Sequence, residues 1–164
     1  MQNTVLPAAI GRHQNLWSLN RVEGLLQAHR DCLSFWTLSP KTCAELDSTP
    51  TCAGVDDDEV IAFGADTLAS DVYYTQDQRK VTLPAGANGL DADFGLYVTA
   101  KYTSVCSASA GTIAYALTCQ RDQFDRPTWG RINFCPNELV ATADQTTFTV
   151  AVAVHEIMHA LGFS

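Results

Sequence analysis

The chain of 164 residues lacks several features that would assign it to common classes of protein. It contains 10 Lys and Arg and 18 Asp and Glu, which gives a net charge of −8 at pH 7. This balance argues against nucleic acid as a partner, because such binding depends on neutralising phosphates. No stretch approaches the roughly 18 apolar residues of a membrane-spanning helix. The amino terminus shows neither the basic nor the apolar segment of a signal peptide, so we expect membrane association only through segments outside this chain.

Cys-x-x-Cys pairs are also absent, which argues against zinc ribbons and thioredoxin-like redox sites. Six cysteines are present, and an even number favours a disulfide framework and an oxidising compartment. They are Cys32, Cys43, Cys52, Cys106, Cys119 and Cys135. Six cysteines allow fifteen pairings, and the sequence does not choose among them. With three in each half, at least one bridge crosses between the halves, or one cysteine in each half stays free. Reduced, buried cysteines are the open alternative.

The most informative motif is His-Glu-x-x-His, formed by His155, Glu156 and His159. On a helix the two histidines lie one turn apart on the same face, roughly 6 Å along the axis. Both imidazoles can then bind one Zn²⁺, with Glu156 beside the metal as a general base rather than a ligand. The motif predicts zinc ligands at His155 and His159 and a catalytic carboxylate at Glu156.

The residues before the motif leave its secondary structure open between helix and strand. The alternation of apolar residues from Phe148 to Val154 has the period of a strand. A strand would separate residues four apart by about 13 Å, too far for two ligands of one metal. A metal site therefore requires a helix through 155–159, and Gly162 suits its end because glycine tolerates a left-handed turn. The alternative is a core helix whose two histidines are satisfied by hydrogen bonds.

The apolar pattern of the first residues predicts an amphipathic helix over 4–19. Its expected inner face carries Leu6, Ile10, His13 and Trp17. Residues further along alternate between short apolar runs and turn-rich segments. The predicted elements are a strand at 21–30, a disulfide-stapled loop at 38–57, strands at 60–63, 73–74, 81–83, 94–102, 113–120 and 131–134, and a final helix for which Asp144 is the N-cap. Strands followed by a metal-bearing helix favour an α+β fold.

Two other groups of polar residues could bind ions. The acidic run from Asp56 to Glu59 lacks the spacing of a calcium loop, so a solvated loop is the better interpretation. His13 and His29 each stand alone among apolar or basic neighbours. Each is expected at the surface or satisfied in the core, not as an extra metal ligand.

The string HEIMHALGFS at 155–164 resembles the active-site helix of the leishmanolysin-type zinc metallopeptidases, a group of the metzincins. Two further stretches are similar to the same family, at 93–100 and 114–136, and the segment around 17–25 is a weaker match. The resemblance implies the amino-terminal catalytic half of a metzincin, with a mixed twisted sheet, an amphipathic helix and the zinc-binding helix. It also implies that the strand at 114–119 forms the sheet edge above the zinc.

The resemblance implies a zinc-dependent endopeptidase that binds peptide or protein substrates in extended form. Peptide bonds would be hydrolysed by a metal-activated water, with Glu156 as the general base. We expect an extracellular or cell-surface location from the cysteines and the family. The family's third histidine and methionine-containing turn lie outside residues 1–164. We therefore expect one partial catalytic domain, without its carboxy-terminal half and inactive alone.

Two alternatives remain. One is a zincin of another type whose third ligand is a downstream glutamate, against which the position of Gly162 argues. The other is a non-catalytic adhesion or binding module, or an inactive fragment, on the same scaffold.

Overall fold

The computed structural model describes residues 3–16, 24–37, 40–54, 56, 59–108, 111–139 and 143–163. Three helices and nine strands are present in these ranges, with short 3₁₀ turns at Ala65–Thr67 and Pro136–Glu138. In chain order they are α1 (Val5–Leu16), β1 (Cys32–Trp36), β2 (Thr42–Leu46), β3 (Thr51–Cys52), β4 (Ile61–Ala62), β5 (Asp71–Tyr74), β6 (Lys80–Leu83), β7 (Gly95–Thr99), α2 (Ser104–Ala108), β8 (Ala114–Arg121), β9 (Pro127–Phe134) and α3 (Ala143–Ala160). The α+β class is confirmed.

A three-stranded sheet in the order β7-β9-β8 lies at the centre of the fold. β7 runs parallel to β9, and β8 runs antiparallel to it, so the predicted mixed sheet is confirmed. The seven residues of β9 after Pro127 are all buried. β9 is therefore covered on both faces, whereas β8 is an edge strand among the described residues.

Helix α3 covers one face of this sheet. Val150, Ala153 and Ile157 form a core cluster with Ile132 and Phe134 of β9. Their spacing along α3 is helical, and burial of such a stripe is the main source of stability for a helix in water. This packing fixes the orientation of α3 under the sheet.

Helix α1 packs against α3 and confirms the predicted amino-terminal helix. Its buried residues are Val5, Ala9 and His13, spaced four apart. The predicted inner face was wrong in part, because the side chain of Ile10 is 41% exposed. Trp17 lies outside the described residues.

The opposite face of the sheet is covered by the loops and short strands of the first half. Trp129 of β9 packs edge-on against Phe63, with ring centroids 5.2 Å apart, and stacks on Tyr97 of β7. Leu26 and Leu68 belong to the same cluster. The described residues thus form two apolar cores, one on each face of β9.

Three small antiparallel ladders lie in the described part of the first half: β1 with β2, β3 with β4, and β5 with β6. The predicted strands at 60–63, 73–74 and 81–83 are confirmed in β4, β5 and β6. The predicted strand at 21–30 was wrong over 24–30, where only Leu26 and Ala28 form isolated bridges. The predicted loop at 38–57 instead contributes β2 and β3, which pair with the neighbouring strands β1 and β4.

All six cysteines form disulfides, which excludes the reduced alternative. The pairs are Cys32–Cys43, Cys52–Cys119 and Cys106–Cys135. The second of them joins the two halves of the chain by linking β3 to the edge strand β8. The expectation of one crossing bridge is confirmed, and three disulfides are typical of an oxidising environment.

The acidic run is not a fully solvated loop. Glu59 is 0% exposed, and Asp56 accepts hydrogen bonds from the backbone and hydroxyl of Ser104 at the start of α2. The prediction was wrong for Glu59 because its charge partner, Arg131, lies 72 residues away. Residues 57 and 58 lie outside the described ranges. None of the described helices is both long and apolar enough to cross a membrane.

Candidate metal centre

Helix α3 carries the His-Glu-x-x-His motif in its last two turns. The strand-like alternation before the motif is overridden, since Val150 is 6% exposed while Phe148 is 51% exposed. The helix also places Asp144 inside its first turn, so the prediction of Asp144 as N-cap was wrong. Residues 140–142, which precede the helix, lie outside the described part of the chain.

The helix brings the imidazoles of His155 and His159 together. Their Nε2 atoms lie 3.0 Å apart, and the rings meet edge to face. Two nitrogens bound to one tetrahedral zinc at about 2.0–2.1 Å would lie about 3.3 Å apart. The two residues therefore fit a shared metal ion with a movement of only a few tenths of an ångström.

A backbone carbonyl determines which nitrogen of His159 faces the metal position. Nδ1 of His159 lies 2.8 Å from the carbonyl oxygen of Phe163, which can only accept, so Nδ1 carries the proton. In the neutral ring Nε2 is then the unprotonated nitrogen, and its lone pair faces the neighbouring histidine. A partner of this kind on the second ring nitrogen is usual for metal-binding histidines, because it orients the ring and selects the tautomer.

The carbonyl of Phe163 reaches His159 because the chain reverses at Gly162. Gly162 has φ +86°, its N–H donates to the carbonyl of His159, and the N–H of Phe163 donates to the carbonyl of Met158. These two bonds form a Schellman motif, in which glycine avoids the cost of a Cβ at positive φ. The expected helix end at Gly162 is confirmed.

Glu156 lies between the two histidines in sequence and is partly buried. Burial raises the pKa of its carboxyl group above the ordinary value. The two histidines and a hydrogen bond from the backbone N–H of Ala116 act in the opposite direction. A half-buried carboxylate that accepts one N–H can still take up a proton at its other oxygen, as a general base must.

The other two histidines do not join this pair. His13 is buried, and its Nε2 lies 3.0 Å from the carbonyl oxygen of Val154. His29 is 41% exposed at its side chain and lies 3.7 Å from Asp31. Within the described ranges, no three His, Cys, Asp or Glu side chains gather around one point that could hold a metal ion.

Two groups at the site were not found from the sequence: the N–H of Ala116 and the carbonyl of Phe163. Both belong to the backbone, so the identity of the residue carries no signal for them. Only the spacing of Gly162 from His159 hinted at the second.

A helix with two facing imidazoles and an intervening glutamate, packed under a mixed sheet, defines a His-Glu-x-x-His metallopeptidase scaffold. The family model of leishmanolysin matches residues 74–164, more than half of the chain. The chain therefore belongs to the leishmanolysin family of metallopeptidases, which confirms the resemblance seen in the sequence.

Curated relatives support the same assignment. A leishmanolysin-like peptidase of Caenorhabditis elegans is 31% identical over the whole chain, which covers 25% of that protein. A ciliated left-right organizer metallopeptidase of Xenopus laevis is 33% identical over 90% of the chain, which covers 21% of that protein. The mouse protein of the same name is 42% identical over 49% of the chain. The chain thus spans about a quarter of the length of the first two relatives.

Proposed function

We propose that the chain is the amino-terminal part of the catalytic domain of a zinc-dependent endopeptidase. The observation that carries this proposal is the 3.0 Å approach of the two Nε2 atoms beside Glu156. His155 and His159 hold the zinc, and a third ligand comes from a part of the protein outside residues 1–164. The coverage of the relatives, about a quarter of their length, supports this division.

When bound, zinc lowers the pKa of an attacking water to about 7 and polarises the scissile carbonyl. His159 stays in one tautomer because its Nδ1–H donates to the carbonyl of Phe163. Glu156 accepts the proton of the attacking water and then donates it to the leaving amine. Partial burial raises the pKa of Glu156 above its ordinary value, which supports the uptake of the proton.

The edge strand β8 is the proposed site for an extended peptide substrate. It lies beside the motif helix, and no described strand pairs with its outer edge. Exposed N–H and C=O groups on such an edge can pair with a peptide as an added strand. Three disulfides support action outside the cell or at its surface.

The test is to express the full-length protein and measure its bound zinc and its hydrolysis of a mixed peptide library. Glu156→Ala should keep one zinc per chain and lower the rate by several orders of magnitude, because only the base is lost. Glu138→Ala is the matched control, since Glu138 is an exposed glutamate of a 3₁₀ turn.

The double variant His155→Ala/His159→Ala should lose both zinc and activity. Unchanged hydrolysis in Glu156→Ala would contradict the proposed base. A wild-type protein that binds zinc but cleaves no peptide would favour the binding-module alternative.

A further inference from the structure

The backbone of β8 shows which of its groups point away from the sheet. The carbonyl of Ile113 accepts from the N–H of Cys135, 2.8 Å away, at the end of β9. Residues alternate in direction along a strand, so Ala114, Ala116 and Thr118 direct their backbone groups away from β9. The N–H of Ala116 donates to the carboxylate of Glu156 in agreement with this alternation. The edge strand thus contacts the proposed base directly.

A second contact joins the same strand to the same helix. The hydroxyl of Thr118 donates to the carbonyl oxygen of Ala160, 3.0 Å away. Ala160 is the last residue of α3, and the last four carbonyls of a helix lack partners within it. The backbone bonds of the Schellman motif go to Met158 and His159. The threonine of the neighbouring strand therefore provides a partner for the carbonyl of Ala160.

The two contacts match in spacing. From Ala116 to Thr118 the strand advances about 6.6 Å, and from Glu156 to Ala160 the helix advances about 6.0 Å. The strand and the helix can therefore meet at both points without bending. Sliding of α3 along β8 would break both hydrogen bonds together.

Close packing at the same place leaves little space for movement. A Cβ added at Gly130 of β9 would lie 3.0 Å from the Cβ of Ala160 and 2.7 Å from the ring of Phe94. Ala114 and Ala116 present only methyl groups to the core under α3. The end of α3 therefore lies against the sheet backbone, where the Thr118 hydroxyl bonds its last carbonyl.

We infer that Thr118 is a positioning residue for Glu156: by holding the carbonyl of Ala160, it keeps the base at the N–H of Ala116. The inference rests on the proposed function. Displacement of a catalytic group by about 1 Å can cost 10²-fold in rate, so a contact that touches no substrate can still control kcat.

The experiment uses the full-length protein and three variants. Thr118→Val removes the hydroxyl and keeps the shape, while Thr118→Ser keeps the hydroxyl. Thr128→Val is the matched control, because the buried Thr128 also bonds a backbone carbonyl, that of Gln120, 3.2 Å away, but on the sheet alone. Bound zinc, Tm, kcat and KM are measured for each.

We expect Thr118→Val to lower kcat about 10- to 100-fold with KM and zinc content unchanged. Thr118→Ser should restore most of kcat, and Thr128→Val should lower Tm to a similar extent without changing kcat. A kcat within about 2-fold of wild type in Thr118→Val would overturn the inference. Loss of zinc in this variant would also overturn it, because the hydroxyl would then support the zinc ligands rather than the base. If Thr118→Val does not fold, Thr118→Ala is judged by the same criteria.

Failure of the proposed function gives a different result. In that case the wild-type protein cleaves nothing, or Glu156→Ala is fully active. If wild type is active and Glu156→Ala is not, the result for Thr118→Val bears on the positioning role alone.

Discussion

The guanidinium of Arg131 lies 2.8 Å from the carboxylate of Glu59, and the two side chains are 1% and 0% exposed. Arg131 also donates to the backbone carbonyl of Glu59, and the hydroxyl of Tyr115 donates to the same carboxylate. The central strand β9, the edge strand β8 and the loop before β4 therefore meet at one buried ion pair. Removing either charge alone destabilises such a pair, because the other charge would be left buried without a partner.

Replacing Arg131 by methionine should lower the free energy of unfolding by about 3–5 kcal/mol. The double variant Arg131→Met/Glu59→Leu should lose less than Arg131→Met alone, because no charge is left uncompensated in the core. Urea denaturation of the disulfide-intact protein measures both.

The control is Arg79→Met. Arg79 pairs with Asp77 at the same distance, 2.8 Å, but the two side chains are 82% and 57% exposed. Its loss should change stability by no more than about 1 kcal/mol. If Arg131→Met were as mild as Arg79→Met, the stabilising role of the buried pair would be wrong.

The crossing disulfide should stabilise the protein more than the hairpin disulfide. Cys52 and Cys119 are 67 residues apart, whereas Cys32 and Cys43 are 11 apart. By the loop-entropy relation, the disulfides that close the shorter and the longer loop stabilise the protein by about 3 and 4.5 kcal/mol. The crossing disulfide therefore contributes about 1.5 kcal/mol more. Paired Cys→Ser variants, compared by Tm, test this order, and equal losses would contradict it.

Gly162→Ala should weaken zinc binding of the full-length protein. Alanine is strained at φ +86°, and its Cβ would lie 3.1 Å from Pro127, so the turn shifts and the carbonyl of Phe163 leaves Nδ1 of His159. Loss of such a second partner typically costs 10–100-fold in metal affinity. Zinc affinity is measured by competition with a chelator.

Gly24→Ala is the control for Gly162→Ala. Gly24 has a similar φ of +82° but no atom within 4 Å of an added Cβ. It should carry the same backbone strain, about 1 kcal/mol, without any effect on zinc. Equal zinc affinity in the two variants would show that the Phe163 carbonyl does not support the site.

Stability should fall in alkaline solution partly through Tyr115. Burial raises the pKa of Tyr115 to about 12, and its hydrogen bond to Glu59 contributes. The folded state therefore holds the phenolic proton more tightly than the unfolded state, whose pKa is about 10. The stabilisation is complete below pH 10 and is lost as the pH rises towards 12.

The free energy of unfolding at pH 8, 10 and 11 measures the effect of Tyr115. Tyr115→Phe should show a shallower decline over this interval, because phenylalanine does not titrate. Parallel declines in the two proteins would assign the alkaline loss to other groups.

Local sequence patterns determined several of the helices, strands and turns of this protein. Gly162 was recognised as the helix end because a left-handed turn is a property of the residue itself. The ladder between 73–74 and 81–83 followed from two β-forming runs joined by a short turn, and the helix through 155–159 followed from the reach of one metal ion.

Contacts between distant residues were decided only in the tertiary structure. The acidic run alone gave no indication that Arg131, 72 residues further on, would bury Glu59. The same holds for the pairing of Cys52 with Cys119, since fifteen pairings have equal local support. Burial, charge pairing and backbone hydrogen bonds such as that from Ala116 depend on which surfaces meet, and that is a property of the packed chain rather than of any segment.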